Sequence, residues 1–129
     1  MEPLYIHHTK TTPSIVFDAD KNEFKITGRS IPADATVFYL PADKWAEKFT
    51  AVFEGKEMTI DIMLDHLNTG SVRSILTILT RFIRMKPRGK TININWHYEL
   101  EDEDIRDKGE EMSLILDHPF RFISFKYPE

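Results

Sequence analysis

At 129 residues the chain is the size of one domain and is long enough to bury a sizeable core without a staple. It has no cysteine, which removes disulfides, thiol nucleophiles and thiolate metal sites together. A net charge of −4, from 21 acidic and 17 basic residues, argues against a nucleic-acid binder, whose affinity rests on clustered Lys and Arg.

Met1-Glu2-Pro3-Leu4-Tyr5 lacks the basic-then-apolar pattern of a signal peptide, and no apolar run approaches the roughly 20 residues that would span a bilayer. The expectation is a soluble, cytoplasmic protein with no membrane partner. His7 and His8 are expected in a mobile N-terminal arm. Ser14–Asp18 is a β-type run, Ala19-Asp20-Lys21-Asn22 is turn chemistry, and residues 23–28 alternate polar and apolar, which predicts a hairpin. Residues 29–40 are ambiguous, punctuated by Pro32 and Pro41, with Phe38 and Tyr39 as anchors to the core.

From Pro41 the spacing turns helical. Trp45, Phe49, Val52 and Phe53 fall on one face, a proline suits a first turn, and Gly55 ends the helix. Met58, Ile60, Ile62 and Leu64 then alternate with Thr59, Asp61, Met63 and Asp65, as a strand with one buried face does. Asn68-Thr69-Gly70-Ser71 is helix-starting chemistry, followed by an apolar stripe of Val72, Ile75, Leu76, Leu79, Phe82 and Ile83. Pro87-Arg88-Gly89 stops this helix. In residues 91–98, Ile92, Ile94, Trp96 and Tyr98 point one way, and Thr91, Asn93, Asn95 and His97 the other. A third helix opens on Glu101-Asp102-Glu103-Asp104 and is carried by Ile105, Met112, Leu114, Ile115 and Leu116. Residues 120–127 close the chain as a last strand.

The order β-β-α-β-α-β-α-β predicts a single α/β domain over residues 1–129. Its sheet should be mixed and mostly parallel, with about five strands. Strands with one polar face place the helices mainly on one side, leaving Thr59, Asp61, Asn93, Asn95 and His97 on an open face.

Few residues offer chemistry. Among the histidines, only His66 and His97, with Asp65, can be imagined converging on a metal; no His-Glu-x-x-His spacing occurs, His118 precedes a proline in a loop, and surface histidines are the ordinary reading. The acidic run 101–111 lacks the alternating ligands and central glycine of a calcium loop. The basic stretch Arg81, Arg84, Lys86, Arg88, Lys90 can be a phosphate site, but such clusters more often serve a helix C-terminus. Nucleotide-binding glycine loops and a Gly-x-Ser-x-Gly elbow are both missing from the sequence, so no cofactor and no catalytic residue is expected.

That leaves Asn68-Thr69-Gly70-Ser71. Its bland reading is an N-cap, in which Asn68, Thr69 or Ser71 accepts a backbone N–H. Its functional reading uses the same geometry: a hydroxyl at a helix N-terminus lies where an added phosphate would be tolerated. Gly70 leaves room there for another protein's active site.

Taken together, certain motifs resemble the SiaC family of bacterial regulatory phosphoproteins, related in fold to STAS domains and anti-anti-sigma factors. The likeness runs through Thr12-Pro13, Gly28-Arg29-Ser30-Ile31-Pro32, Phe38-Tyr39 leading to Trp45, and Leu67-Asn68-Thr69-Gly70-Ser71. It continues in Asn93-Ile94-Asn95-Trp96-His97-Tyr98, Asp102-Glu103-Asp104, Gly109-Glu110-Glu111 and Pro119-Phe120. The resemblance implies a STAS-like two-layer fold and a non-enzymatic phospho-switch in cyclic di-GMP signalling and biofilm regulation. An anti-sigma-factor-like serine/threonine kinase adds the phosphate, and a PP2C-type phosphatase removes it. The unmodified protein binds and activates an effector such as a diguanylate cyclase. The phosphorylated threonine maps onto Thr69, with Ser71 as the fallback, and partners are expected around Leu67, Asn68, Gly70, Ser71 and Arg73. Gly70 and His97 depart from the family pattern, where Ser and Tyr are common. The alternatives are a binding module indifferent to phosphorylation and, behind it, a small metal-dependent enzyme on Asp65, His66 and His97.

Overall fold

The computed structural model describes residues 1–128. Six strands form one sheet in the order β1 (Leu4–Ile6), β2 (Ser14–Asp18), β3 (Glu23–Ser30), β4 (Glu57–Leu67), β5 (Thr91–Glu99) and β6 (Arg121–Phe125). The first three pair antiparallel, while β3 to β6 run parallel. The crossovers pass through α1 (Ala35–Val52), α2 (Thr69–Ile83) and α3 (Glu103–Leu116). Strand order never reverses, so right-handed crossovers put every helix on the same face. The two-layer α/β architecture is the one expected from the alternation.

The covered face is built in register. Phe24 lies beside Ile60 and Ile26 beside Ile62, and these continue to Ile94 and Trp96 on β5. All six are buried. Above them Phe17, Phe24, Trp45, Phe49 and Phe82 form an aromatic cluster, with Trp45 stacked on Phe49 at 5.1 Å. Each such side chain contributes roughly 1.5–3 kcal/mol by leaving water. Trp96 also fixes α3: its Nε1 donates to the Ile105 carbonyl (3.0 Å), and the indole lies so close beneath Gly109 that a Cβ there would sit 2.5 Å from Nε1. Only glycine lets the helix approach that far.

Several expectations need correction. The sheet has six strands because the N-terminal segment is tied down, not a mobile arm. Leu4 and Ile6 pair with Phe17 and Ile15, the Tyr5 hydroxyl donates to the Asp18 carboxylate, and Trp45 Nε1 reaches the Glu2 carbonyl at 2.8 Å. Helix α1 starts six residues before Pro41. Asp34 caps it, accepting the Val37 N–H at 3.1 Å. Pro41 sits inside, and the N–H it lacks would have met the carbonyl of Val37, a residue on the solvent side. Val52, Leu114 and Ile115, read as core, are 61%, 80% and 67% exposed. The last strand is the shorter run Arg121–Phe125.

At the end of β4 the register against β3 slips. Gly28 faces Leu64, but Arg29 faces His66 and Ser30 faces Leu67. The extra residue on β4 inverts the phase of alternation, so Asp65 and His66 are both exposed and Leu67 returns to the core. This bulge aims the chain into α2.

Candidate functional site

The start of α2 is held by three hydrogen bonds from one residue. The Asn68 backbone N–H donates to the Ser30 carbonyl (3.0 Å). Its side-chain oxygen caps the helix by accepting the Ser71 N–H (2.9 Å), and its side-chain nitrogen donates to the Pro32 carbonyl (3.1 Å). Asn68 is therefore the cap, in extended conformation, and Thr69 is the first helical residue, exposed to solvent.

Ser71 lies on the opposite side of the same turn and is fully buried. Its hydroxyl donates to the Ser30 carbonyl (3.1 Å) and accepts from the Ser30 hydroxyl (2.7 Å). The Ser30 hydroxyl in turn accepts from the Tyr39 hydroxyl (2.6 Å), which closes a donor–acceptor chain with no partner missing. Burial pushes the Tyr39 pKa up to about 12 against the smaller, opposing pull of Ser30 and Ser71. The chain links the end of β3 to the first turns of α1 and α2. Gly70 completes the junction: a Cβ there would lie 3.1 Å from the Ala35 Cβ. The glycine, exposed on its outer side, allows this close approach of two helix N-termini.

Arg73, one turn beyond Thr69, is exposed and lines a groove of about 160 Å³ between α1 and α2 with Thr36, Leu40, Asp43 and Thr77. Asp43, on the wall of that groove, is held by Arg81, whose guanidinium meets it at 2.6 and 3.2 Å. Hydrogen bonding to Asp43 raises the Arg81 pKa further. Three more cations of the basic stretch are also engaged. Arg88 donates to the Thr50 carbonyl at the end of α1 (2.5 Å), Lys90 to the Gly55 carbonyl (2.6 Å), and Lys86 meets His118 (3.2 Å). Within residues 81–90 it is Arg88 that serves a helix C-terminus, and the helix is α1 rather than α2.

The residues of a hypothetical metal site do not converge. His97 turns to Asp61 on the open face (2.8 Å), where Asn95 also donates to the same carboxylate oxygen (3.0 Å). His66 lies beside Asp65 at 3.4 Å. No three metal-ligating side chains gather among the described residues. His118, expected on the surface, is buried. Burial first, and Lys86 second, hold its pKa below the ordinary imidazole value, so the neutral ring donates from Nε2 to the Ile92 carbonyl (2.9 Å). No signal local to residues 118–119 announces that placement, because both partners come from distant positions.

Of the residues singled out in the sequence, Asn68, Thr69, Gly70 and Arg73 shape one surface, while Leu67 and Ser71 lie beneath it. Sequence reasoning missed Ser30, Tyr39 and Asp34–Ala35, which build the other half of the junction.

These features define a two-layer α/β domain with an exposed hydroxyl at a braced strand-to-helix junction. The chain matches the SiaC family regulatory phosphoproteins over residues 6–125 and belongs to that family. A relative from Pseudomonas aeruginosa (strain UCBPP-PA14), an uncharacterized protein, is 27% identical over 120 residues, spanning 93% of this chain and 94% of its own. The crystal structure of apo-SiaC from Pseudomonas aeruginosa superposes with a TM-score of 0.84 at 25% identity, covering 95% of this chain and 99% of that one. A chain in the crystal structure of the diguanylate cyclase SiaD in complex with its activator SiaC, from the same organism, gives 0.86 at 25% identity, with the same coverage. No helix among the described residues is long and apolar enough to cross a membrane.

Proposed function

We propose that residues 1–129 act as one cytoplasmic, non-enzymatic signalling domain switched by reversible phosphorylation of Thr69. The observation that carries this reading is the contrast at the junction: Thr69 offers a free, exposed hydroxyl on a helix start that Asn68 holds in place, while the neighbouring Ser71 hydroxyl is buried and fully engaged. A phosphate on Thr69 adds about −1.5 to −2 charges at the positive end of the α2 dipole, a favourable site worth roughly 0.3–1 kcal/mol. The fold then survives modification, and what changes is the charge that a partner meets beside Gly70 and Arg73.

Family membership supports the remaining parts: an anti-sigma-factor-like kinase, a PP2C-type phosphatase, and an effector such as a diguanylate cyclase that the unmodified form activates. The SiaD–SiaC complex lends the cyclase its support. Incubation with the cognate kinase and ATP is expected to add one phosphate per chain, none to Thr69→Ala, and to leave uptake by Ser71→Ala intact. Cyclase binding by wild type and its loss in Thr69→Asp, read by calorimetry, complete the test. Equal binding by both would replace the switch with a constitutive binding module.

A further inference from the structure

The two edges of the sheet differ. β1 is three residues long, bounded by Pro3 and by the turn that Thr9 closes, so it offers little to another strand. β6 is five residues, Arg121-Phe122-Ile123-Ser124-Phe125, with no proline, and its far side is uncovered. The Phe125 carbonyl accepts the Leu100 N–H at 2.8 Å, so Phe125, and by alternation Ile123 and Arg121, direct their backbone groups toward β5. Phe122 and Ser124 therefore direct theirs outward, placed symmetrically about Ile123.

The geometry points to a second copy of this chain as the occupant of that edge, paired antiparallel across a two-fold axis at Ile123. In this register Phe122 faces Ser124 of the other copy, so each N–H meets a C=O, and Arg121 faces the Phe125 ring. The charges agree with that direction. Near the Arg121 end Lys86, in contact with His118 just ahead of β6, adds to Arg121 and outweighs Asp117; near the Phe125 end Glu99, Glu101, Asp102, Glu103 and Asp104, beside Leu100, outweigh Lys126. Antiparallel pairing sets the basic end of one copy against the acidic end of the other, whereas parallel pairing would oppose like charges. The dimer also explains apolar surface that the monomer leaves in water. Phe122 is 36% exposed on the covered side of β6, and Leu114 and Ile115 protrude from α3, the helix that leads into this edge.

Sedimentation of the full chain tests this. Wild type is expected at twice its 15.1 kDa mass at micromolar concentration, dissociating as salt rises. Ser124→Pro removes an N–H that the monomer's own sheet does not use, and an edge strand tolerates proline there. It is expected to weaken the dimer roughly 10- to 100-fold while the melting temperature of the dilute monomer stays near that of wild type. Phe122→Lys gives an independent disruption. The chain has no cysteine, so Ile123→Cys supplies a single reporter. Its two copies would sit opposite each other at a spacing that admits a disulfide, and mild oxidation should yield a covalent dimer that Tyr5→Cys on the other edge does not. A wild type that remains monomeric at 200 μM (a concentration of roughly the order at which weak edge pairing saturates), or a dimer unaffected by Ser124→Pro, overturns the proposal.

Discussion

Thr69 and Ser71 carry the same functional group two residues apart, yet about 200° of helix separates them. One points to solvent at the first position of α2; the other is inserted between the end of β3 and the first turn of α1. The difference teaches that a run of hydroxyls at a helix start is two kinds of site. The outer one stands in solvent, while the inner one ties the helix start to the end of β3.

The sharpest way to break this contrast is to remove each hydroxyl in turn. Thr69→Ala should abolish phosphate uptake, measured by intact mass, while shifting stability by no more than about 0.5 kcal/mol, since nothing buried is lost. If Ser71→Ala loses uptake instead, the two roles are exchanged. Next in size is the alkaline limb of stability. The Tyr39 pKa is about 12 in the folded protein against 10.0 for the free group, so the folded state holds its proton longer. The stability this contributes is complete below pH 10 and is lost as pH rises toward 12, on the order of 3 kcal/mol in all. Tyr39→Phe should flatten that limb in denaturant titrations from pH 9 to 11 (a window set by a pKa near 10 for the unfolded residue).

Smaller effects sharpen the same comparison. Ser71→Ala removes two hydrogen bonds, one to the Ser30 hydroxyl and one to the Ser30 carbonyl, while Tyr39 and the Asn68 N–H remain as partners, at a cost of about 0.5–1.5 kcal/mol for each bond by chemical unfolding. Asn68→Ala loses the cap and the tie to Pro32, about 1–2 kcal/mol. Both should leave the Thr69 hydroxyl available, so stability and phosphate uptake are expected to separate.

How much of this was legible follows from where the partners lie. The alternation in β4 and β5 reads directly, because each strand has one polar face and a period of two. The capping chemistry at residues 68–71 reads directly too, being local. The orientation of Ser71 does not, since its partner Ser30 is 41 positions away. β1 escaped for the same reason: three residues have no pattern, and their order comes from Trp45 and Asp18. Pro41 masked the true start of α1, although Asp34 carries an ordinary cap signal. Leu114 and Ile115 misled because apolar identity was taken for burial.

The tie between Asn68 and the Pro32 carbonyl has a consequence for enzymology. Any enzyme that acts at Thr69 meets a conformational epitope stitched from residues 30–35 and 68–73, two stretches that no contiguous peptide contains. Specificity of such an enzyme would reside in the native tertiary shape rather than in a consensus string, and unfolding the chain would erase the recognition mark along with the fold.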